Sequence, residues 1–446
     1  MQTYIYLHNR KMQSKTSIYH IKYFWGFNMI TKLSRRDILK GILSVSGLSV
    51  LSDLGIMNSP VQAELARPSF GMTSGLKITG VEAFQVKIPW DINETFRFDQ
   101  KKRFFGKYAD FGAIKISTDS GITGFCLPWG ARLKIDEKLK SLLLGADPFA
   151  IEQLVQKGLD MYPHAEHAVW DIIGKAVGLP VHKVLGFAQS KVKAYLTTVF
   201  NEPFDTIPFD TMASGLLGYK QKGFKAAKIQ AHHTDPNNDV EAVRVIRDAV
   251  GYDFEIMLDR TGQFPGWTWT YDTALQTAKG LEKYQAYWLE EPFYRGEFVN
   301  SARLAAAVDI PITGGEGIHG LEPFAKYLAN EAFDIIQPDA FSSGGILMTR
   351  KIGGMAQAFG KRCILHGYHS LAVSGPLQVI GSLPNCTHME LVYNVPPWTP
   401  QDMWEPGLKL IQDSEMYTFE DGYIVIPDKP GLGHRINEEA LQEYRV

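Results

Sequence analysis

The chain has 446 residues, 45% of them hydrophobic and 21% charged, a globular balance with ample apolar material for a large core. Formal net charge is −2 and no long basic or acidic block occurs, which argues against nucleic acid or an anionic membrane surface as a partner. The three cysteines, Cys126, Cys363 and Cys386, are odd in number and lack metal-type spacing, so they read as buried apolar side chains rather than a disulfide framework.

Near the N-terminus, Ser34-Arg-Arg-Asp-Ile-Leu-Lys40 leads into an apolar stretch, Gly41 to Ile56, and then Val61-Gln-Ala63. Paired arginines, a moderate hydrophobic segment and a small-residue cleavage site have the layout of a twin-arginine export signal. Residues 1–63 are therefore expected to form the export region, with Met29 as the working start and the periplasm as destination. The bland alternative is an amphipathic helix with two chance arginines. The apolar stretch is too short and too rich in Ser and Gly for a good span, so no membrane span is expected in the mature chain. A small, polar linker covers 64–75.

From Leu76 the pattern alternates, as in Ile78 to Ile88, Phe111 to Ser117, and Thr123 to Cys126 beyond the turn at Asp119-Ser-Gly121. This predicts a small antiparallel sheet. The Phe- and Arg-rich stretch Pro89 to Tyr108 has no clean period and reads as a functional loop. Helical patterns follow over Leu133–Leu144, Pro148–Met161 and Ala165–Val177, completing an α+β domain over 76–190.

After Gly186 the rhythm changes. Eight apolar runs (Val192–Leu196, Ala226–Ile229, Phe254–Leu258, Ala286–Leu289, Ile310–Thr313, Phe333–Ile336, Cys363–Leu365, Met389–Val392) alternate with amphipathic segments such as Val240–Ala249, Thr273–Tyr284, Phe298–Ala307, Leu321–Leu328 and Met348–Phe359. That alternation over 191–394 predicts a closed parallel (β/α) barrel, with a doubly wound open sheet as the other solution. No Gly-rich nucleotide fingerprint follows any strand, which weighs against the open sheet.

The strand ends carry the chemistry. In order they are Lys228 and Gln230, Asp259, Glu290, Glu316, Asp339, His366 and Glu390, spaced 31, 26, 23, 27 and 24 residues from Asp259 onward. In a parallel barrel all C-terminal strand ends open on one face, so these groups converge on one mouth. Three carboxylates from adjacent strands form an oxygen-rich site for a hard cation such as Mg²⁺. Taken singly, each acid is more often a solvated loop residue, and His366 has a competing reading as a satisfied core histidine. A run of ionisable strand ends is what lifts the pattern above chance.

These residues resemble the enolase superfamily, and within it the mandelate racemase and muconate lactonizing enzyme-like group, over nearly the whole mature chain. The matching segments are Ala165-Glu-His-Ala-Val-Trp-Asp-Ile-Ile-Gly-Lys175, Phe224-Lys-Ala-Ala-Lys228, Trp288-Leu-Glu-Glu-Pro292, Ile335-Ile-Gln-Pro-Asp339 and Ile426-Pro-Asp-Lys-Pro-Gly-Leu-Gly433. The resemblance implies a modified (β/α)₇β barrel of the TIM type, an α+β capping domain completed by the C-terminal segment 395–446, and Mg²⁺ as cofactor. It implies Asp259, Glu290 and Glu316 as metal ligands, Glu291 as a supporting acid, and Asp339–His366 as a dyad in which the carboxylate orients the imidazole. His369, three residues on, competes for the base role. Glu390, with Gln230 and His369, is expected near the substrate, and Lys228 in catalysis.

One departure lies on the second barrel strand. Where the family pattern is often Lys-x-Lys, this chain reads Lys228-Ile-Gln230, and an amide cannot exchange a proton near neutral pH. Racemisation needs an acid and a base on opposite faces of the α-carbon. A single Asp–His dyad is enough for elimination, in which a base removes the proton beside a carboxylate and the resulting ene-diolate loses a β-hydroxyl. The expected activity is dehydration of an acid sugar to a 2-keto-3-deoxy acid. The alternatives are epimerisation or cycloisomerisation through the same intermediate, elimination with Lys228 as base and His366 as acid, and a non-catalytic exported sugar-acid binder. His232 and His233 read as a solvated loop, and a homo-oligomer is expected from the family.

Overall fold

The computed structural model describes residues 75–90, 95–98, 101–104, 108–200, 204–262, 264, 266–413 and 417–446; the expected export region and residues 64–74 of the linker lie outside them. Strand β1 (Ile78–Pro89) pairs antiparallel with β4 (Tyr108–Thr118), and β4 with β5 (Thr123–Cys126). Between β1 and β4, where the sequence reads as a loop, β2 (Thr95–Phe98) and β3 (Lys101–Phe104) form a hairpin. Four residues a side are too few for a period of two to stand out in a stretch so rich in Lys and Arg. The helix expected over Pro148–Met161 is broken into a helix at Ile151–Gln156 and a 3₁₀ turn at Leu159–Met161, with left-handed Gly158 (φ 108°) between them.

The second region is a TIM-type barrel. Its strands are β6 (Lys191–Thr198), β7 (Ala226–Gln230), β8 (Glu255–Asp259), β9 (Trp288–Glu290), β10 (Ile312–Gly314), β11 (Ile335–Ile336), β12 (Arg362–Cys363) and β13 (His388–Asn394). They pair in parallel in the order β13-β6-β7-β8-β9-β10-β11-β12, and a single parallel bridge, Tyr368↔Leu391, links the segment after β12 to β13. Near-complete burial of these short strands follows from helices covering the outside. The helix Pro236–Val250 shows how such helices are delimited. Asp235 caps it by accepting the Asn237 N–H, Pro236 occupies its first turn, and Gly251 ends it at φ 73°. A hairpin of β14 (Phe419–Glu420) and β15 (Tyr423–Val425) adds antiparallel to β6.

Period-two alternation fixes what faces the barrel axis. Tyr195, Ala226, Met257, Trp288, Ile335 and Ile364, one from each of six strands or strand extensions, form a separate apolar layer inside the barrel. The residue two positions further along each strand also points inward, one layer nearer the mouth.

The capping region is tied to the barrel through the helix Pro163–Ala176. Glu166 accepts from the Ile346 and Leu347 N–H groups (2.8 and 2.9 Å) at the N-terminus of helix Ile346–Ala358, and from Trp170 Nε1 at 2.8 Å. A side chain at Gly345 would collide with that carboxylate, its Cβ lying 2.5 Å from it. Asp171 takes the Phe125 N–H (3.0 Å), the Leu432 N–H (2.9 Å) and Lys175 Nζ (2.6 Å), so one buried carboxylate joins cap sheet, helix and C-terminal segment. The C-terminus returns to β1, where the Lys87 N–H donates to the Tyr444 carbonyl at 2.9 Å. All three cysteines are buried thiols, and no helix among the described residues is long and apolar enough to cross a membrane.

Replacing Asp171 by Ala strands two buried N–H groups and removes the ion pair with Lys175, and is expected to destabilise the fold by about 3 kcal/mol. Thermal or denaturant unfolding should show a midpoint well below that of the parent. An unchanged midpoint would mean the junction is held elsewhere.

Candidate active site

The inward layer above the apolar one consists of Thr197, Lys228, Asp259, Glu290, Gln337 and His366, with Glu390 entering from β13 opposite Tyr195. Glu316 does not follow this alternation, because it lies two residues beyond β10. Gly315 turns the chain ahead of it at φ 123°, and a Cβ at Gly315 would sit 2.9 Å from Phe324, so only glycine fits that turn.

Lys228 is the centre of a buried charge cluster, with 1% of its surface exposed. Its Nζ donates to both oxygens of Glu290 (3.0 and 2.9 Å) and lies 2.8 Å from Glu390 and 3.4 Å from Asp259. Burial works to strip its proton, but Glu290, Glu390 and Asp259 outweigh burial and hold the ammonium well above the ordinary lysine value. Burial, and repulsion from Asp259, push the Glu290 carboxyl well above the usual carboxylate range despite Lys228. Burial also raises Asp259; Lys228 opposes this, and Glu316 and Glu390 add to it. Glu290 is held further by Trp288 Nε1 (3.1 Å) and Gln337 Nε2 (3.0 Å), and Glu390 by the Thr197 hydroxyl and the Gly367 N–H (2.9 Å).

Opposite this cluster stands the dyad. His366 Nδ1 is 3.1 Å from Asp339 Oδ2 and donates there, which turns Nε2 toward Glu316, 3.6 Å away. Asp339 Oδ1 accepts the Phe341 and Ser342 N–H groups (each 2.7 Å) and the Tyr368 hydroxyl. Burial disfavours charge on Asp339, but the His366 and Tyr368 hydrogen bonds prevail and hold its carboxyl below the usual range. Burial lowers the proton affinity of His366, while Glu316, the Asp339 hydrogen bond and Glu390 raise it further, to about 10. Glu316 is also a candidate cation ligand, so a cation there would draw the imidazole back toward neutrality.

The expected ligands are thus on neighbouring strand ends, but among the described residues no three His, Cys, Asp or Glu side chains stand together as a ready ligand cluster. The Lys228 ammonium lies between Asp259 and Glu290, while Glu316 pairs with Arg295 at 3.6 Å. The donor chemistry nonetheless fits a hard cation. Asp259, Glu290 and Glu390 surround one ammonium, and burial, with repulsion from neighbouring carboxylates added to it, raises Asp259 and Glu290.

The remaining expected residues separate clearly. Gln230 is buried beside Asp259 in the β7–β8 register, and its Oε1 has no hydrogen-bond partner among the described residues. His369 lies apart from the dyad, its ring 4.6 Å from Trp129 of the cap and 6.4 Å from Trp404; burial lowers it to about 3. Glu291 (φ 42°) turns toward the Gly315 N–H (3.2 Å) and Arg295 Nε (3.5 Å), bracing the loop that carries Glu316. His232 and His233 are not a solvated loop but buried: His232 lies 3.9 Å from the Trp267 ring and bonds Thr261 at 2.5 Å, while His233 Nδ1 bonds Asp239 at 2.6 Å. Asp239 comes from the first turn of the next helix, but Trp267 arrives from a later segment, and that part of the burial has no local signal. Sequence reasoning missed Thr197, Trp288, Gln337 and Tyr368. Trp288 and Gln337 share a strand or strand extension and an inward parity with Glu290 and Asp339, and alternation alone could have supplied them; Thr197 lies on β6, where the sequence offered no candidate.

The domain description "Enolase C-terminal domain-like" matches residues 212–440. Arabinonate dehydratase of Saccharolobus solfataricus is 30% identical over 353 residues, covering 75% of this chain and 90% of that protein. The 3,6-anhydro-alpha-L-galactonate cycloisomerase of Streptomyces coelicolor is 26% identical over 363 residues, covering 76% and 93%. Among solved structures, D-glucarate dehydratase from Agrobacterium tumefaciens complexed with magnesium superposes with a TM-score of 0.71 at 24% identity, covering 83% of this chain and 99% of that one, a likeness of fold. With a barrel whose strand ends carry Asp259, Glu290, Glu316 and the Asp339–His366 dyad, and with these relatives across both regions, the chain belongs to the enolase superfamily.

Proposed function

We propose that the protein is a magnesium-dependent acid-sugar dehydratase: it removes the proton beside a carboxylate and expels a β-hydroxyl as water, giving a 2-keto-3-deoxy acid. The observation that carries this reading is the dyad, an imidazole fixed by Asp339 with Nε2 turned toward Glu316 across a mouth lined by carboxylates. Asp259, Glu290 and Glu316 would hold the ion, which when bound supplies positive charge against the second negative charge that builds on the substrate carboxylate.

His366 Nε2 takes the α-hydrogen as a proton, and the C–H electron pair moves toward the carboxylate carbon. As that pair returns, the C–O bond of the β-hydroxyl breaks and the imidazolium returns its proton to the departing oxygen, so water leaves and His366 is restored. Asp339 stabilises the imidazolium and fixes the ring. Lys228, held fully charged by its carboxylate neighbours, acts as a fixed cation for the substrate carboxylate rather than as a base. The unpaired Gln230 Oε1 is an acceptor for a substrate hydroxyl, and its amide supplies no second proton carrier. Cycloisomerisation begins with the same proton removal, and one relative is named for it; product NMR after incubation with arabinonate, glucarate and an anhydrogalactonate separates the two outcomes.

His366→Asn should lower turnover of the best acid sugar at least a thousandfold, in keeping with loss of the sole base, on the order of the 10²–10⁴ attributed to such groups. The Mg²⁺-dependent rise in melting temperature should persist in that variant. Retained turnover would remove His366 from the mechanism.

Melting with and without Mg²⁺ checks the ligands separately. Excess Mg²⁺ at about 100 times its Kd should stabilise the parent by about 2.7 kcal/mol, and Glu290→Gln should lose most of that gain. An equal gain in both proteins would place the ion elsewhere.

A further inference from the structure

The hydroxyl of Tyr368 belongs to no role assigned so far, yet it donates to the carboxylate on which the dyad depends. Its position is determined from three sides. The ring stands edge-on to Phe341, with centroids 4.5 Å apart and planes at 69°, and edge-on to His366 at 5.8 Å and 85°. Its backbone bridges to Leu391 of β13. Phe341 in turn lies beneath His167 of the cap helix (4.2 Å, 27°), whose Nε2 donates to the neighbouring Ala340 carbonyl at 3.0 Å. The cap therefore braces both the Asp339 loop and the ring that reaches back to Asp339.

The hydroxyl completes the shell of Asp339 Oδ1. With the Phe341 and Ser342 N–H groups it makes three donors on one oxygen, which leaves Oδ2 to His366 Nδ1. Burial and the Asp339 charge hold the phenol well above its ordinary value, so it remains a donor throughout the working pH range. A carboxylate with one oxygen committed in this way cannot rotate or take up the imidazole's proton readily, and the ring keeps the tautomer that abstraction needs.

We propose that Tyr368 is a positioning residue of the proton-transfer machinery, its hydroxyl locking Asp339 so that His366 keeps Nε2 aimed at the substrate; this rests on His366 being the base. Tyr368 touches neither substrate nor the reacting atoms in this account.

The test compares Tyr368→Phe, Tyr368→Ala and His366→Asn. All are assayed on whichever of arabinonate, glucarate or an anhydrogalactonate the parent turns over fastest, with Mg²⁺ present. Tyr368→Phe keeps the ring against Phe341 and loses only the hydroxyl. It should melt as the parent does, keep KM within about threefold, and lose about ten- to a hundredfold in kcat, the range typical of groups that orient a functional side chain. Exchange of the α-hydrogen in D₂O should slow by the same factor, and Tyr368→Ala should be no faster than Tyr368→Phe. A merely structural role predicts that Tyr368→Phe rescues what Tyr368→Ala loses; a Phe variant with parental kcat, or one whose loss tracks its unfolded fraction, overturns the assignment. Slowed kcat with unchanged exchange overturns it too. If His366→Asn is inactive while Tyr368→Phe is normal, only the Tyr368 inference fails. If His366→Asn stays active, the parent reading fails and takes the inference with it.

Discussion

Everything at the barrel mouth depends on an unbalanced charge: three carboxylates on barrel strand ends share one buried ammonium. A lysine surrounded by Asp259, Glu290 and Glu390 is a stable arrangement, but it neutralises only part of the charge it faces, and burial together with the neighbouring carboxylates pushes Asp259 and Glu290 upward. Such a cluster in a low-dielectric interior is costly unless something else enters it. A divalent cation with an anionic substrate answers that demand, and the site's tension is thereby directed at binding.

The second constraint is orientation. The imidazole is effective only if its nitrogens are distinguished, and the fold achieves this through a chain of contacts that begins outside the barrel. His167 rests on Phe341, Phe341 positions Tyr368, and three donors fix Asp339. Glu390 joins the two halves of the site, reaching Lys228 on one side and the Gly367 N–H, next to His366, on the other. Displacing the cap would thus reach His366 through this chain of contacts.

Much of this was legible in the sequence because a parallel barrel converts chain order into geometry. Acids at the ends of successive apolar runs must share one rim, so Asp259, Glu290, Asp339 and His366 could be assigned to it from spacing alone. What stayed hidden were contacts that spacing does not encode. Tyr368 reaches Asp339 across 29 residues, and nothing local marks its hydroxyl as different from any other tyrosine's. His232 and His233 looked solvated because the rings that enclose them, Phe204 and Trp267, come from elsewhere in the chain. The intrusion of Lys228 among the expected ligands was equally invisible, since a side-chain ammonium long enough to cross a strand pair leaves no mark on periodicity.

The most direct measurement is anomalous diffraction from crystals soaked in Mn²⁺ as a stand-in for Mg²⁺. A single ion within coordination distance of Asp259, Glu290 and Glu316, with Lys228 withdrawn from between them and His366 Nε2 facing the open positions, is the predicted result. An empty rim with Lys228 still bridging Asp259 and Glu290, or an ion bound elsewhere, would contradict it.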